Sequence, residues 1–225
     1  MTSKKTSSES RNVDREIDEL KSGLTQLHIE FDAHMIERFE QYLNMLYSYH
    51  GRLHLLSHGD YERISRRHFL PSLAAFPYVR DHGRVCDVGA GAGFPSIPLK
   101  IVLPKFELVI FESKRKKAEF LRSLINALCL ERIEVRNERA EDFSGAGFDL
   151  LLLRAVGKIA DLTRVIDKLL VAGGEALFFK SQSIDDELRR AESIMKKKGF
   201  TAKVTNLSTP LERMPLALVS LSKLS

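Results

Sequence analysis

Three alternate glycines follow a short apolar run in the stretch Asp87-Val88-Gly89-Ala90-Gly91-Ala92-Gly93-Phe94-Pro95. Glycine there lets the backbone turn sharply and lets a ligand approach main-chain amides, at the carboxyl end of a strand where open α/β sheets bind their ligands. An acidic side chain, Glu112, comes 23 residues after Gly89, where the next strand is predicted to end. A carboxylate in that place accepts both hydroxyls of an adenosine ribose and selects against a 2′-phosphate. The purely structural alternatives are a tight turn that holds nothing and a carboxylate that caps the helix starting near Lys114.

An adenosine ligand with such a loop is a dinucleotide or S-adenosylmethionine. Dinucleotide binding wants G-x-G-x-x-G, with the last glycine packed inside a helix whose N-terminus faces pyrophosphate. Here the spacing is G-x-G-x-G, Phe94 and Pro95 follow, and Asp87 stands two residues ahead of Gly89. An amino-acid tail bearing an ammonium and a carboxylate suits an Asp-led loop better than a pyrophosphate does. The pattern therefore favours S-adenosylmethionine over a nicotinamide dinucleotide, with Asp87, Gly89, Gly91, Gly93, Phe94 and Glu112 as cofactor-binding candidates.

Residues in these roles need a parallel sheet to hold them. Apolar runs predict strands over 84–88, 106–111, 133–135, 148–153 and 175–179, with helices over 114–128, 160–170 and 184–198. Strands separated by helices imply right-handed crossovers and a parallel sheet covered on both faces. Two last runs, 201–207 and 216–221, are joined by a loop too short for a helical crossover, so the sheet ends in an antiparallel hairpin. The predicted fold is α/β: a mostly parallel, seven-stranded sheet like that of the Rossmann-like class I methyltransferases. Residues 13–80 carry apolar side chains at helical spacing and are expected to form an N-terminal cap, ahead of a main domain over 81–225. Residues 1–12, polar and without an apolar period, read as a disordered tail.

The chain has 225 residues, 44% hydrophobic and 29% charged, which suits one well-buried domain with an accessory segment and excludes a disordered or collagen-like chain. No apolar run reaches the roughly 18 residues of a membrane span, and the polar start is no signal peptide, so a cytoplasmic protein is expected. Cys86 and Cys129, neither in a C-x-x-C pair, are expected to be buried thiols, with no metal site. A formal charge of +5 favours a polyanionic partner.

The runs DVGAGAGFPSIPLKIVLP, FESKRKKAEFLR, ERAEDF and FDLLLLRAV strongly resemble the ribosomal RNA small-subunit methyltransferase G family, also called glucose-inhibited division protein B, from about Leu43 to the C-terminus. The resemblance implies methylation of N7 of a guanine in 16S rRNA, with 16S rRNA or the small ribosomal subunit as partner and no membrane; a monomer is expected. It implies that Gly89 and Phe94 border the methionine part of S-adenosylmethionine, that Glu112 holds the ribose and that Ala140 and Glu141 line the adenine. Arg154 would face cofactor and target base, and Arg139 matches a family arginine. The substrate-facing matches are Arg67 and His68, in Arg67-His68-Phe69-Leu70-Pro71-Ser72 where the family has Asp in place of Pro71, and Lys180, followed by Ser181 where the family has Gly. His54-Leu55-Leu56-Ser57 stands where the family writes Asn-Leu-Thr.

Guanine N7 has an available lone pair at neutral pH, so no general base is nominated. The mechanism is positioning, to which Arg154 and Arg139 are the candidate contributors. Among the basic clusters, Arg63, Arg66 and Arg67 and the run 114–117 are the candidates for RNA contact, and 196–198 reads as a solvated helix end. The same cofactor with another substrate, a nicotinamide oxidoreductase and a non-catalytic RNA-binding module are the alternatives.

Overall fold

The computed structural model describes residues 3–145, 147–180, 184–211 and 215–224, with side chains from Asn12 onward. Near-continuous apolar runs make the central strands, which are buried on both faces as parallel strands must be. These are β1 (Arg84–Val88), β2 (Glu107–Phe111), β3 (Ile133–Arg136), β4 (Phe148–Arg154) and β5 (Leu170–Lys180), followed by β6 (Phe200–Leu207) and β7 (Leu216–Lys223). The order across the sheet is β3-β2-β1-β4-β5-β7-β6, with β7 antiparallel to both of its neighbours. The chain moves one way from β1 to β3 and the other way from β4 onward. Val88 pairs with Phe111 on one side and Leu153 on the other, so the carboxyl ends of β1, β2 and β4 lie level where the direction reverses. That reversal leaves a crevice beyond the strand ends, and the glycine loop sits in it.

Successive strand residues point to opposite faces and divide the core into two layers. Val85, Leu108, Ile110, Leu150 and Leu152 face α1 (Ser3–Gln26), α2 (Ala33–Tyr49), α3 (Leu70–Leu73), α4 (Ser96–Val102) and α5 (Arg115–Ala127). Cys86, Val88, Val109, Leu151 and Leu153 face α6 (Ile159–Leu169) and α7 (Asp185–Lys197). The N-terminal helices thus share a core with α4 and α5 and do not have one of their own. Local signals set the ends: Asp32 caps α2 by accepting from the Met35 N–H at 2.8 Å. Asp185, Asp186 and Glu187 open α7 while Lys196 and Lys197 close it, matching the helix dipole.

Between α2 and α3 the chain makes a short turn at His58–Asp60 and a π-helical turn at Ser65–Phe69. The latter is held from α1. Glu16, fully buried, accepts from the Ser65 N–H at 2.6 Å, and its own carbonyl accepts from Ser65 Oγ at 2.7 Å. Glu19 takes the Arg66 guanidinium at 2.7 Å. Burial raises the Glu16 pKa, opposed by the two bonds from Ser65.

Three sequence expectations are revised. Residues 3–12, expected to be a tail, continue α1, because a helix packed through Val13, Ile17, Leu20 and Leu24 propagates at little cost into polar residues that tolerate it. Cys129 is exposed, not buried: it follows the end of α5 with φ 49°, past the last residue of that helix's apolar face. Strand β5 starts at Leu170, which pairs with Phe148 and is not the end of the preceding helix. Gly173 and Gly174 had masked that early start. The cap region holds two long helices followed by short turns.

Replacing Glu16 by Ala strands the buried Ser65 N–H, which costs about 1–3 kcal/mol, so the variant should melt several degrees lower. Glu16→Gln, which keeps an acceptor and removes a desolvated charge, should recover most of the loss. Thermal unfolding by circular dichroism checks both; equal melting of Ala and Gln variants would contradict this role for the carboxylate.

Candidate active site

Strand β1 ends in a loop whose left-handed backbone favours glycine, with φ of 71°, 59° and 105° at Gly89, Gly91 and Gly93. The last two do different work. A Cβ at Gly93 would lie 2.5 Å from Tyr42 Oη, so this glycine lets the loop pack on α2, where Tyr42 donates to the Ala92 carbonyl at 2.6 Å. A Cβ at Gly91 would have no neighbour closer than Lys117 Nζ at 3.9 Å. That side of the loop is open.

Asp87 is completely buried. Its Oδ2 accepts from the Ser96 N–H at 3.3 Å, and its Oδ1 has no partner among the described residues. Burial pushes its pKa up to about 7, helped by the nearby Glu112 and opposed by the Ser96 bonds and by Arg154. A buried carboxylate with an unused oxygen, next to an open glycine loop, fits a cationic ligand group such as an ammonium.

Glu112 directly follows β2 and is also buried. Its Oε2 accepts from Gly91 N–H at 3.1 Å and its Oε1 from Lys114 N–H at 2.8 Å. Lys114 is the N-cap residue of α5, so the carboxylate does cap that helix, as the structural reading had it. It also faces the glycine loop, and each oxygen keeps a second lone-pair direction for a hydroxyl donor.

Phe94 forms the wall between this crevice and the N-terminal segment. Its ring stacks on His68 at 4.8 Å and Tyr42 at 5.6 Å, with the Arg154 guanidinium 5.8 Å away over the ring. Arg154, at the end of β4, donates to the Arg67 carbonyl at 2.8 Å, to Ser72 Oγ at 3.2 Å and to the His68 carbonyl at 3.4 Å. Burial lowers its pKa to about 10. His68 is held below its ordinary pKa by burial, with Asp60 opposing and Arg154 adding to the shift. A neutral ring is the result. Its Nδ1 lies 3.4 Å from the Arg154 donor and therefore acts as acceptor, which leaves the proton on Nε2, 3.5 Å from Asp60 Oδ2. The same Asp60 binds Arg67 at 3.2 Å, and the contacts from His68, Ser57 and Arg67 hold its carboxyl below the usual range.

Asp87, the three glycines, Phe94, Glu112, Arg154, His68 and Arg67 thus come together around one crevice. Ala140 is buried in the core layer with Val88 and Phe111, under the ends of β1 and β2. Glu141 is exposed, with its carbonyl accepting from Lys168 Nζ at 2.8 Å. Arg139 is exposed in the same loop. Lys180 is tied elsewhere, donating to the Gly157 carbonyl at 2.9 Å and pairing with Glu187 at 2.8 Å. His54 is exposed and Pro71 half-buried at the start of α3, whereas Ser181 lies outside the described residues. Tyr42, Asp60 and Ser72 were not singled out from the sequence. Tyr42 lies on the apolar face of α2 and gave no polar signal; Asp60, the first acid in a basic stretch, was the one visible clue.

Comparison with known proteins places this geometry. The family model described as rRNA small subunit methyltransferase G (GidB) matches residues 35–214. Curated relatives carrying the name ribosomal RNA small subunit methyltransferase G include one from Dehalococcoides mccartyi, 32% identical with 93% of this chain and 92% of the relative covered. Another, from Staphylococcus carnosus, is 36% identical over 69% of this chain and 68% of the relative. Among solved structures, M. jannaschii TYW2 in complex with AdoMet is similar in fold, with a TM-score of 0.58, 16% identity and coverage of 76% of this chain and 78% of that one. A precorrin-6y C5,15-methyltransferase from Geobacter metallireducens gives a TM-score of 0.52 at 14% identity, covering 76% and 91%. The fold is that of the class I methyltransferases, and the chain belongs to the rRNA small subunit methyltransferase G family.

Proposed function

We propose that this protein transfers the methyl group of S-adenosylmethionine to N7 of a guanine in 16S rRNA, acting as a monomer in the cytoplasm. Asp87 carries the reading: its unpaired, buried Oδ1 beside an open glycine loop suits the ammonium of the cofactor's amino-acid tail. Glu112 is positioned to accept from the ribose hydroxyls, and Ala140 with the Glu141 backbone borders the adenine. Among the described residues no helix is long and apolar enough to cross a membrane.

The cofactor, when bound, supplies an electrophilic methyl on a sulfonium. Methyl transfer to N7 forms a C–N bond as the C–S bond breaks and moves one positive charge from sulfur to the base. No proton leaves N7. The protein's part is therefore orientation, for which in-line placement at about 3–3.5 Å contributes roughly 7–11 kcal/mol at best. Phe94 gives the crevice a flat apolar wall, and Arg154 clamps the segment carrying Arg67 and His68 against it. Neutral His68 brings no further charge to a site where the base becomes cationic.

Gly91→Asp should still fold, at a cost of about 1–2 kcal/mol for a side chain on a left-handed backbone, because a Cβ there meets open space, yet should lose S-adenosylmethionine binding in calorimetry. Unchanged binding would remove the loop from the site. Mapping of N7-methylguanosine in 16S rRNA from cells with and without the gene tests the substrate; identical maps would reject it.

Asp87 also predicts a pH dependence. Its proton is bound more tightly in the folded chain, so its stabilising contribution, full below 3.8, is lost as pH rises to about 7. An ammonium partner favours the ionised form. Cofactor affinity should therefore rise by nearly tenfold per pH unit below about 7 and level off above it. Asp87→Asn at pH 8 should melt at least as high as the wild type without ligand and bind no cofactor. A flat affinity profile from pH 5.5 to 8 would contradict this role.

A further inference from the structure

A second concavity, of about 460 Å³, opens between the C-terminal end of α2, the turn at His58–Asp60 and the side of α1. Its wall is a ladder of rings. Tyr61, buried, carries His50 flat against it at 3.9 Å between centroids, with planes 21° apart, and Tyr47 lies on it at 6.3 Å. His58 stands beside it, tilted by 38° with 5.2 Å between centroids, its Nδ1 3.2 Å from His50 Nε2. Both outer imidazoles are exposed. The remaining wall is polar and fixed from α1: Asn12 Nδ2 donates to Tyr47 Oη at 2.7 Å, and Arg15 donates to the Glu62 carbonyl at 2.6 Å. Arg52, His54 and Arg63 are exposed along the same stretch, against the single exposed acid Glu62.

This groove and the crevice are two sides of one segment. Asp60, next to Tyr61, holds Arg67 and faces His68, whose ring stacks on Phe94. The chemistry selects among ligands. No group of three metal-binding side chains occurs among the described residues, and the wall is too polar for a lipid or an apolar helix. Two exposed imidazoles backed by a buried tyrosine, with arginines beside them, suit an unpaired nucleotide, which needs a stacking platform for the base and cations for the phosphate.

We propose that this groove binds an unpaired RNA nucleotide flanking the target guanine, stacked on His50 and His58, an inference that rests on the rRNA reading above. The test compares the full-length wild type with His50→Ala/His58→Ala and with His50→Phe, at mildly alkaline pH. Binding of a fluorescently labelled single-stranded RNA dodecamer is followed by anisotropy over a range of salt, and methylation kinetics use small ribosomal subunits from cells lacking the gene. The double alanine variant should bind RNA about tenfold more weakly and show a KM for subunits raised to a similar degree. Its kcat, its S-adenosylmethionine affinity and its salt slope should stay as in the wild type, because stacking releases no counterions. His50→Phe, which keeps a ring face, should retain wild-type RNA affinity. Wild-type KM and RNA affinity in the double variant would overturn the proposal, as would loss of RNA affinity in His50→Phe with cofactor binding intact. A wild-type protein that takes up S-adenosylmethionine but methylates no subunits would instead overturn the rRNA reading itself, and the groove's assignment with it.

Discussion

A carboxylate sealed at the end of the central strand with one oxygen unused is the constraint around which this molecule is arranged. Burying Asp87 works against the folded state once it ionises, and the surroundings relieve this only in part, through Ser96 and the charge of Arg154. The sheet makes the burial possible. Pairing of β1 with β2 and β4 brings Val88, Phe111 and Leu153 level, and the chain reversal there leaves the only kind of gap in a doubly covered sheet where a ligand reaches a buried strand end. Stability given up at Asp87 becomes affinity for a cation when one enters.

The second side of the site depends on a chain of contacts that begins far from it in sequence. Glu16 of α1 fixes Ser65, the π-helical turn from Ser65 presents the carbonyls of Arg67 and His68, and these receive Arg154 from the end of β4. Phe94, from the glycine loop, is stacked on His68 in the same cluster. Glycine loop, sheet and N-terminal helices therefore meet at one ring and one guanidinium. Because α1 and α2 share their core with α4 and α5, moving the N-terminal helices against the sheet would break that core.

Much of this was legible in the sequence because it rests on local rules. Compact apolar runs gave every strand of the sheet, alternate glycines after the run ending at Val88 gave the loop, and the short link before residue 216 gave the antiparallel finish. What was not legible depends on tertiary contact. Tyr42 carries an apolar spacing that hides its hydroxyl bond to Ala92, and Glu16 reads as one more acid on a charged helix although it is completely buried. Lys180 matched a substrate-facing position by type, yet its amine is occupied by Gly157 and Glu187, a pairing between a strand end and the next helix whose relative placement spacing does not give. Cys129 was misplaced because burial was inferred from residue type, whereas its left-handed backbone lies past the end of the helix.

The most direct measurement is a carboxyl-carbon NMR titration of Asp87, in the free protein and in the protein saturated with S-adenosylhomocysteine. The account predicts a midpoint near 7 in the free protein and a shift of at least one unit downward in the complex, where the ammonium favours the charged form. A midpoint that stays in place on saturation, or moves upward, would contradict it.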